Sequence, residues 1–142
     1  MIDSSRNRWL RKATTLLRPL LTNGGHPCAP QTLVVRVGSP RPDEVEWDGL
    51  FYEATPVYPA HIVLSRSLVD SHHVLRVLLH ELCHFATESE CQAHGNAFRN
   101  AARAIGLRSK HNEPTAWTTP TPSLHRALER ILHKLGPYPQ EK

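Results

Sequence analysis

The sequence of 142 residues lacks the patterns that mark a membrane span, a disulfide framework or a repeat array. No apolar run approaches the ~20 residues that a transmembrane helix needs. The three cysteines are an odd number without CxxC spacing, which favours a reducing compartment. The basic N-terminus has a leucine cluster interrupted by Arg18 and Pro19 and no small-residue cleavage site, so we expect no secretory signal. We therefore expect a cytoplasmic protein, with the nucleoid as a candidate location, and no membrane partner.

Charge is unevenly distributed along the chain, although the net charge is only +4. Residues 1–40 carry six Lys/Arg and one acid, residues 41–90 carry three and nine, and residues 91–142 carry eight and three. The basic ends suit contact with phosphate backbones. Solvated helix faces explain the same charges equally well, because short basic stretches are common in globular proteins.

Hydrophobic periodicity and breaker residues predict helices and strands in blocks, which is typical of an α+β fold. Strands are predicted over residues 32–37, 50–54 and 60–65. Pro59, immediately before the third strand, indicates an edge position for it. Helices are predicted over residues 4–21, from the N-cap Asp70 through Phe85, over about residues 96–105, and from the N-cap Ser123 to Gly136.

The apolar helical run LRVLLHELCHF contains an HExxH motif, His80 to His84. Positions four apart share one face of a helix, so His80 and His84 can offer imidazole nitrogens to one ion, and Zn²⁺ accepts such ligands. Glu81 flanks that face and is predicted to act as a general base and not as a ligand. Strings of this length also arise by chance. The apolar setting favours a site, because burying an unpaired carboxylate there is costly.

His94, followed by Gly95, is the candidate third ligand. A short turn after Phe85 would bring the next helix back and place His94 near the histidine pair. Three protein ligands leave one zinc position open for water, as catalytic sites do, so hydrolysis is favoured over a purely structural metal. Cys91 is a softer competitor in the connecting loop, whereas Cys83 points off the ligand face and is assigned to packing.

The other histidines show no metal-ligand spacing and are assigned to ordinary surface or core positions. They are His26, His61, His72, His73, His111, His125 and His133, of which His72 and His73 are expected to be exposed. Spacing identifies no second donor for the oxyanion of a hydrolytic reaction. The candidates are Tyr52, Tyr58, His111 and Tyr138.

The run HELCHFATESECQAHGNAFRNAARAIGL resembles the SprT-like metallopeptidase domain, which is related to the Spartan DNA–protein crosslink proteases. That family shows an apolar HExxH helix, a variable turn, and HGxxF leading into a helix. Here the second part is the segment from His94 to Phe98, and Phe98 would pack the two helices together. The strand AHIVLS and the ending LGPYP also look like the family, so the resemblance covers about residues 58–139.

The resemblance implies a zincin-like α+β fold, with a small sheet packed on the HExxH helix and a following helix that carries the third ligand. It implies zinc held by His80, His84 and His94, with Glu81 as catalytic acid/base. It also implies an edge strand that holds substrate by strand addition. Many relatives carry a zinc ribbon with paired CxxC motifs after this domain. The sequence holds no such pair, so we expect a single SprT-like domain over residues 1–142 and place DNA recruitment through a ribbon in doubt.

Contact with DNA would have to use the basic helix faces. The candidate residues are Arg126, Arg130 and Lys134 on the last helix, Arg99 and Arg103 on the one before it, and Arg6, Arg8, Arg11 and Lys12 on the first. No aromatic residues are interleaved with these charges, as single-strand binding would favour. The last helix has an apolar opposite face, so a solvated outer face fits its basic stripe as well.

The leading interpretation is a zinc-dependent endopeptidase acting on protein or peptide substrates, with DNA-associated proteins as candidates. One alternative is a DNA-associated binding or scaffold module with a structural zinc and little catalysis, against which the presence of Glu81 argues. Another is a zinc hydrolase of a different bond. Peptide deformylases also use HExxH, but Cys28 lacks the glycine-rich setting of their cysteine ligand.

Overall fold

The computed structural model describes residues 4–28, 32–39, 47–88, 94–109 and 117–140. Helices and strands follow one another in blocks there, which confirms the predicted α+β class. No described helix combines the length and apolar character that crossing a bilayer requires. The elements are α1 (Ser5–Asn23), β1 (Leu33–Gly38), β2 (Gly49–Tyr52), β3 (Ala60–Ser65), α2 (Ser71–Thr87), α3 (Asn96–Ile105), β4 (Leu107–Arg108), β5 (Thr119–Pro120) and α4 (Pro122–Leu135).

The main sheet has the strand order β1-β3-β2, with β3 parallel to β1 and antiparallel to β2. The predicted edge position of β3 is therefore wrong. Pro59 precedes the strand and withholds no hydrogen bond from its interior, so it does not prevent pairing on both sides. Five of the six β3 residues are buried, as expected for a central strand. Among the described strands of this sheet, β1 and β2 are the edges.

One face of the sheet supports the helix that carries the HExxH motif. Ile62 at the centre of β3 lies opposite Val35 on one neighbour and Phe51 on the other, and all three side chains are buried. They belong to the same hydrophobic core as Leu78 and Leu82 of α2. Because side chains alternate across a strand, Ala60 and Leu64 share the face of Ile62 and extend this apolar row.

Capping residues set the end of α3 and the start of α4, which lie next to each other. Gly106 ends α3 with a φ of 97°, a left-handed conformation that favours glycine, and a Cβ there would lie 2.6 Å from Thr121 Oγ1. Thr121, and not the predicted Ser123, is the N-cap of α4, and its hydroxyl accepts a hydrogen bond from the Leu124 backbone N–H. The reason is Pro122, whose fixed φ and missing N–H suit the first position of a helix.

The N-terminal helix is anchored by a basic side chain in the interior. Arg6 is only 3% exposed, donates hydrogen bonds to the carbonyls of Pro139 (2.7 Å) and Arg66 (2.9 Å), and stacks over the Tyr138 ring. The prediction that Arg6 joins a phosphate-binding surface is therefore wrong. Its guanidinium is used to tie the C-terminal segment and the segment after β3 to α1.

Candidate metal centre

The second half of α2 buries three polar side chains of the HExxH motif. The helix begins after Asp70, whose carboxylate accepts a hydrogen bond from the His73 N–H at 2.8 Å, as predicted for an N-cap. From Val74 to Phe85, nearly every residue is buried against the sheet and neighbouring helices. His80, Glu81 and His84 are 7%, 3% and 0% exposed, so their polar atoms face a protein interior.

His94 comes close to the histidine pair, as the sequence predicts. Its Nε2 lies 3.3 Å from His80 Nε2, and one nitrogen from each of His80, His84 and His94 lies within 4.8 Å of the other two. The third histidine is not on the following helix, which is a correction. It lies two residues before α3, ahead of the N-cap Gly95, so its side chain comes from the connection between the helices.

Phe98 holds the three imidazoles against one another. Its ring, which is fully buried, stacks on His84 with centroids 4.3 Å apart and contacts His80 at 4.9 Å and His94 at 4.8 Å. Because Phe98 is on the first turn of α3 and two of these histidines are on α2, it packs the two helices together as predicted. The aromatic wall also limits the rotamers available to the imidazoles.

Trp117 makes a backbone contact to the cluster that no sequence pattern predicts. Its carbonyl oxygen lies 3.3 Å from His80 Nδ1, so an Nδ1–H donor leaves Nε2 as the lone-pair nitrogen that faces His94. The Trp117 backbone has a φ of 44°, which is uncommon for a residue with a side chain. Its indole is buried in an edge-on contact with Phe98. Only the turn into β5 brings this carbonyl to α2, and no local motif signals it.

Glu81 lies beside the histidines with one oxygen available for chemistry. Its Oε2 is 3.8 Å from His80 Nε2, and its Oε1 is buried without a hydrogen-bond partner among the described residues. Burial raises the pKa of Glu81 to about 8, because desolvation penalises the charged form. A buried carboxylate of this kind calls for a nearby cation or a proton-transfer role.

The backbone of β2 closes on Glu81 from the side of the sheet. A Cβ added at Gly49 would lie 2.8 Å from Val77 Cγ1 and 3.1 Å from Glu81 Oε2. Glycine therefore allows β2 to approach α2 at the carboxylate more closely than any other residue would. Two positions on, the Phe51 ring lies parallel to His84 with centroids 6.4 Å apart. The edge strand thus runs along the histidine cluster.

The donor set fits a transition-metal ion. Two nitrogens bound at about 2.0–2.1 Å to a tetrahedral ion lie roughly 3.3 Å apart, which matches the separation of His80 Nε2 and His94 Nε2. Three neutral imidazoles also suit zinc and its neighbours in the first transition row. The cluster is therefore a candidate metal centre with Glu81 at its side.

Other predicted candidates lie elsewhere. Cys83 is fully buried in the hydrophobic core, which confirms its assignment to packing. Tyr138 packs edge-on against Trp9, with its ring under Arg6, whereas Tyr52 and Tyr58 are exposed. Cys91 and His111 lie outside the described residues. His72 and His73, for which the sequence predicts exposure, are both half-buried, and His72 lies beside His125.

The basic residues predicted to contact DNA differ in their exposure and in the groups that they contact. Arg126, Arg130 and Lys134 are all exposed on α4. Arg103 is exposed on α3 and lies over the Trp117 ring, 5.3 Å from its centroid. Arg99 is half-buried and donates to Asn96 Oδ1 at 3.0 Å. The α4 stripe is therefore the more accessible of the two predicted ones.

Comparison with known proteins gives one match. A family model described as SprT-like family matches residues 41–118, more than half of the chain. The match begins upstream of the region indicated by the motif resemblance and ends before α4. It contains the sheet strands β2 and β3, the HExxH helix, His94 and Trp117. No curated protein and no solved structure matches the chain.

Proposed function

The chain belongs to the SprT-like family, and on that premise we propose that it is a zinc-dependent endopeptidase with Glu81 as general base. One observation carries the proposal. Three histidine nitrogens lie within 4.8 Å of one another beside a buried carboxylate. A structural site has no need of that carboxylate, because a fourth protein ligand completes such sites. The family supports a metallopeptidase-type domain, and the geometry supports the assignment of roles within it.

The proposed ligands are His80, His84 and His94. A bound zinc ion supplies Lewis acidity, which polarises a peptide carbonyl and makes water nucleophilic near neutral pH. The Trp117 carbonyl fixes the His80 tautomer, so that His80 Nε2 remains a lone-pair donor. Phe98 excludes water from one side of the three imidazoles.

Glu81 is the proton carrier in this mechanism. Its Oε1 accepts a proton from the attacking water, and the carboxyl group then delivers that proton to the amide nitrogen of the leaving peptide. The oxygen of the water bonds to the carbonyl carbon and the C–N bond breaks, so the products are a carboxylic acid and an amine. Glu81 must be ionised before the water attacks. Burial raises the pKa of Glu81, whereas a divalent cation held by the adjacent histidines would lower it and so favour the ionised form.

The edge strand β2 is the proposed binding surface for substrate. β2 is an edge strand in the order β1-β3-β2, and it runs from Gly49 beside Glu81 to Phe51 beside His84. An extended peptide that pairs with this edge would pass the reacting groups. A hollow of about 240 Å³ adjoins the strand, lined in part by Phe51 and Phe85, and accepts one substrate side chain in this proposal.

DNA-associated proteins are the proposed substrate class. The exposed stripe of Arg126, Arg130 and Lys134 on α4 supports this part of the proposal, since cations at helical spacing can follow a phosphate backbone. In this arrangement DNA binding would raise the local concentration of substrate without taking part in hydrolysis.

The test is cleavage of a DNA-binding protein by the zinc-loaded chain, with and without single-stranded DNA. Glu81→Gln is the matched control, because it retains the shape of the side chain and removes the base. We expect its cleavage rate to fall by about 10²–10⁴-fold while zinc content is unchanged. Cleavage at the wild-type rate by this variant would refute the role of Glu81, and cleavage without a DNA effect would reject the proposed substrate class.

The binding-module alternative makes the opposite prediction. If zinc serves only folding, the wild-type chain binds DNA and zinc but leaves every protein substrate intact. Glu81→Gln then has no effect on any measured property except stability. The same assay therefore separates the two functions.

A further inference from the structure

A second cluster of metal-binding side chains lies at the opposite end of α2, where the sequence shows no motif. His72 is on the first turn of α2, and His125 is on the first turn of α4. Their rings are stacked with centroids 5.0 Å apart and planes at 12°. The start of α2 is also tied to the C-terminal segment, because the Tyr138 N–H donates to Ser71 Oγ at 2.9 Å. The two imidazoles are therefore brought together by packing between helices.

A carboxylate completes the cluster. Glu129 lies one turn after His125, and its Oε1 is 2.9 Å from His125 Nε2. Residues four apart share a helix face, so both side chains point to His72 from α4. One ligand atom from each of His72, His125 and Glu129 lies within 4.8 Å of the other two. His72 Nδ1 is shielded from solvent and has no hydrogen-bond partner among the described residues.

We propose that His72, His125 and Glu129 form a second metal site, which takes a zinc-like divalent transition-metal ion and clamps the start of α2 to α4. Two imidazoles and one carboxylate are borderline ligands that suit Zn²⁺, Co²⁺ or Ni²⁺, with water in the remaining positions. Calcium and magnesium prefer sites built from oxygen alone and are expected to bind poorly. The ion would link two helices that are far apart in the sequence.

This site is separate from the one assigned to hydrolysis. His72 precedes His80 by eight residues, which corresponds to about 12 Å along a helix. The second cluster shares no residue with the first, and its carboxylate already contacts His125. Its proposed role is to hold two helices together and not to activate water. The proposal therefore does not depend on the peptidase activity.

Binding requires a small rearrangement that the side chains permit. Parallel stacked rings do not direct their lone pairs at one point, so at least one imidazole must rotate. The His125 and Glu129 side chains are 45% and 58% exposed, so both have room to turn. The same exposure implies weaker binding than at the buried histidine cluster, because mobile side chains lose conformational freedom when they bind.

The experiment is a Zn²⁺ titration of the metal-free full chain by calorimetry, with bound metal counted by equilibrium dialysis against free Zn²⁺. We expect two ions per wild-type chain, one tight and one weaker. His125→Ala should reduce the affinity for the weaker ion by about tenfold or more, since loss of a mere supporting partner already costs 10–100-fold. His133→Ala is the matched control, because His133 is an exposed histidine on the same helix outside the cluster.

A second variant and a second measurement keep the result interpretable. Glu129→Gln changes an exposed side chain and should weaken the same ion without affecting the fold, which circular dichroism would check. The imidazole NMR signals of His72 and His125 should shift together on addition of the second equivalent of zinc. His94→Ala should weaken only the tight ion, so failure of the first site and of the second are distinguishable. One ion per wild-type chain, or equal binding by His125→Ala and His133→Ala, would overturn the proposal.

Discussion

The two ends of α2 place histidines in opposite environments. At the C-terminal end, His80 and His84 are buried and face a third histidine only ten residues further along the chain. At the N-terminal end, His72 is half-buried and stacks on His125, a residue of another helix 53 positions away. Both ends bring three metal-binding side chains within 4.8 Å of one another.

The difference shows what a local motif can reveal. Histidines four apart on an apolar helix identify the first cluster from sequence spacing, because helix geometry alone joins them. The second cluster depends on how α4 docks on α2, and its two histidines come from different helices, so no spacing within one helix signals the pair. The spacing of His125 and Glu129, also four apart on a helix, is the one local feature that would have drawn notice to it.

We expect the strongest effect from loss of metal at the C-terminal end of α2, where the histidines are buried. His94→Ala removes a ligand of the tight site, so zinc affinity there should fall by at least 10–100-fold. The wild-type chain should also lose thermal stability when a chelator removes zinc, since an ion that binds only the folded state stabilises it. Calorimetric titration and melting curves measure both effects. If His94→Ala binds zinc as tightly as the wild type does, His94 is not a ligand.

A smaller effect is expected at Gly49, where β2 lies against Val77 and Glu81 of α2. Gly49→Ala places a methyl group against Val77 and Glu81 and should displace the carboxylate, with a loss in kcat of about tenfold or more, since displacements of about 1 Å can cost 10²-fold. Metal content should not change, because no ligand is altered.

Adding Val77→Ala to Gly49→Ala separates positioning from packing. The second change removes the 2.8 Å contact with Val77 but leaves the 3.1 Å approach to Glu81. We expect the double variant to be more stable than Gly49→Ala alone but to recover little of the lost kcat. Full recovery of kcat would mean that Gly49 serves only the packing of β2 on α2.

A third test concerns the exposed basic stripe of α4, formed by Arg126, Arg130 and Lys134. Arg126→Ala combined with Arg130→Ala should reduce the slope of log affinity for single-stranded DNA against log salt by about 1.4, or roughly 0.7 for each lost phosphate contact. Arg36→Ala, at an exposed position on β1, is the single-charge control. An unchanged slope in the double variant would assign the stripe to solvation.

The smallest effect concerns the cysteine thiols. Burial raises the pKa of the Cys28 thiol above its ordinary value of 9.0, although Arg18 opposes the shift. Less thiolate is then present in the folded chain at pH 8, so labelling of Cys28 should be slower than in the unfolded chain, with the difference narrowing as pH rises above 9. Cys83, buried within α2, should react only after unfolding. Mass spectrometry of the labelled peptides reports each cysteine separately.

Much of the secondary structure could be predicted from local chemistry. The bounds of β3 and α3 agree with the predicted ones, because a short apolar run after a proline, a terminal glycine and apolar spacing all act within a few residues. The short ladder of β4 and β5 was not predicted, since two-residue strands have no periodicity to detect. The predicted edge position of β3 is wrong, because the strands that pair with it are set by the rest of the sheet.

The residues of the candidate site also fall into those that a sequence pattern predicts and those that it does not. The motif identified His80, Glu81, His84 and His94 from spacing and from the family resemblance, and the structure brings all four together. It did not identify Trp117 or Gly49, whose roles depend on a backbone carbonyl and on the absence of a side chain. Neither property has a sequence pattern, because each depends on which segment lies opposite.

Local patterns predict the α+β class and the helix that carries HExxH, because helix periodicity and capping are short-range effects that depend on neighbouring side chains. Together with the family resemblance, they also predict the four residues of the candidate metal centre. Tertiary packing sets the strand order, the use of Arg6 as an internal anchor, the Trp117 contact to His80 and the pairing of His72 with His125. Those features arise from segments that meet in space only after the hydrophobic core has formed, so no local pattern encodes them.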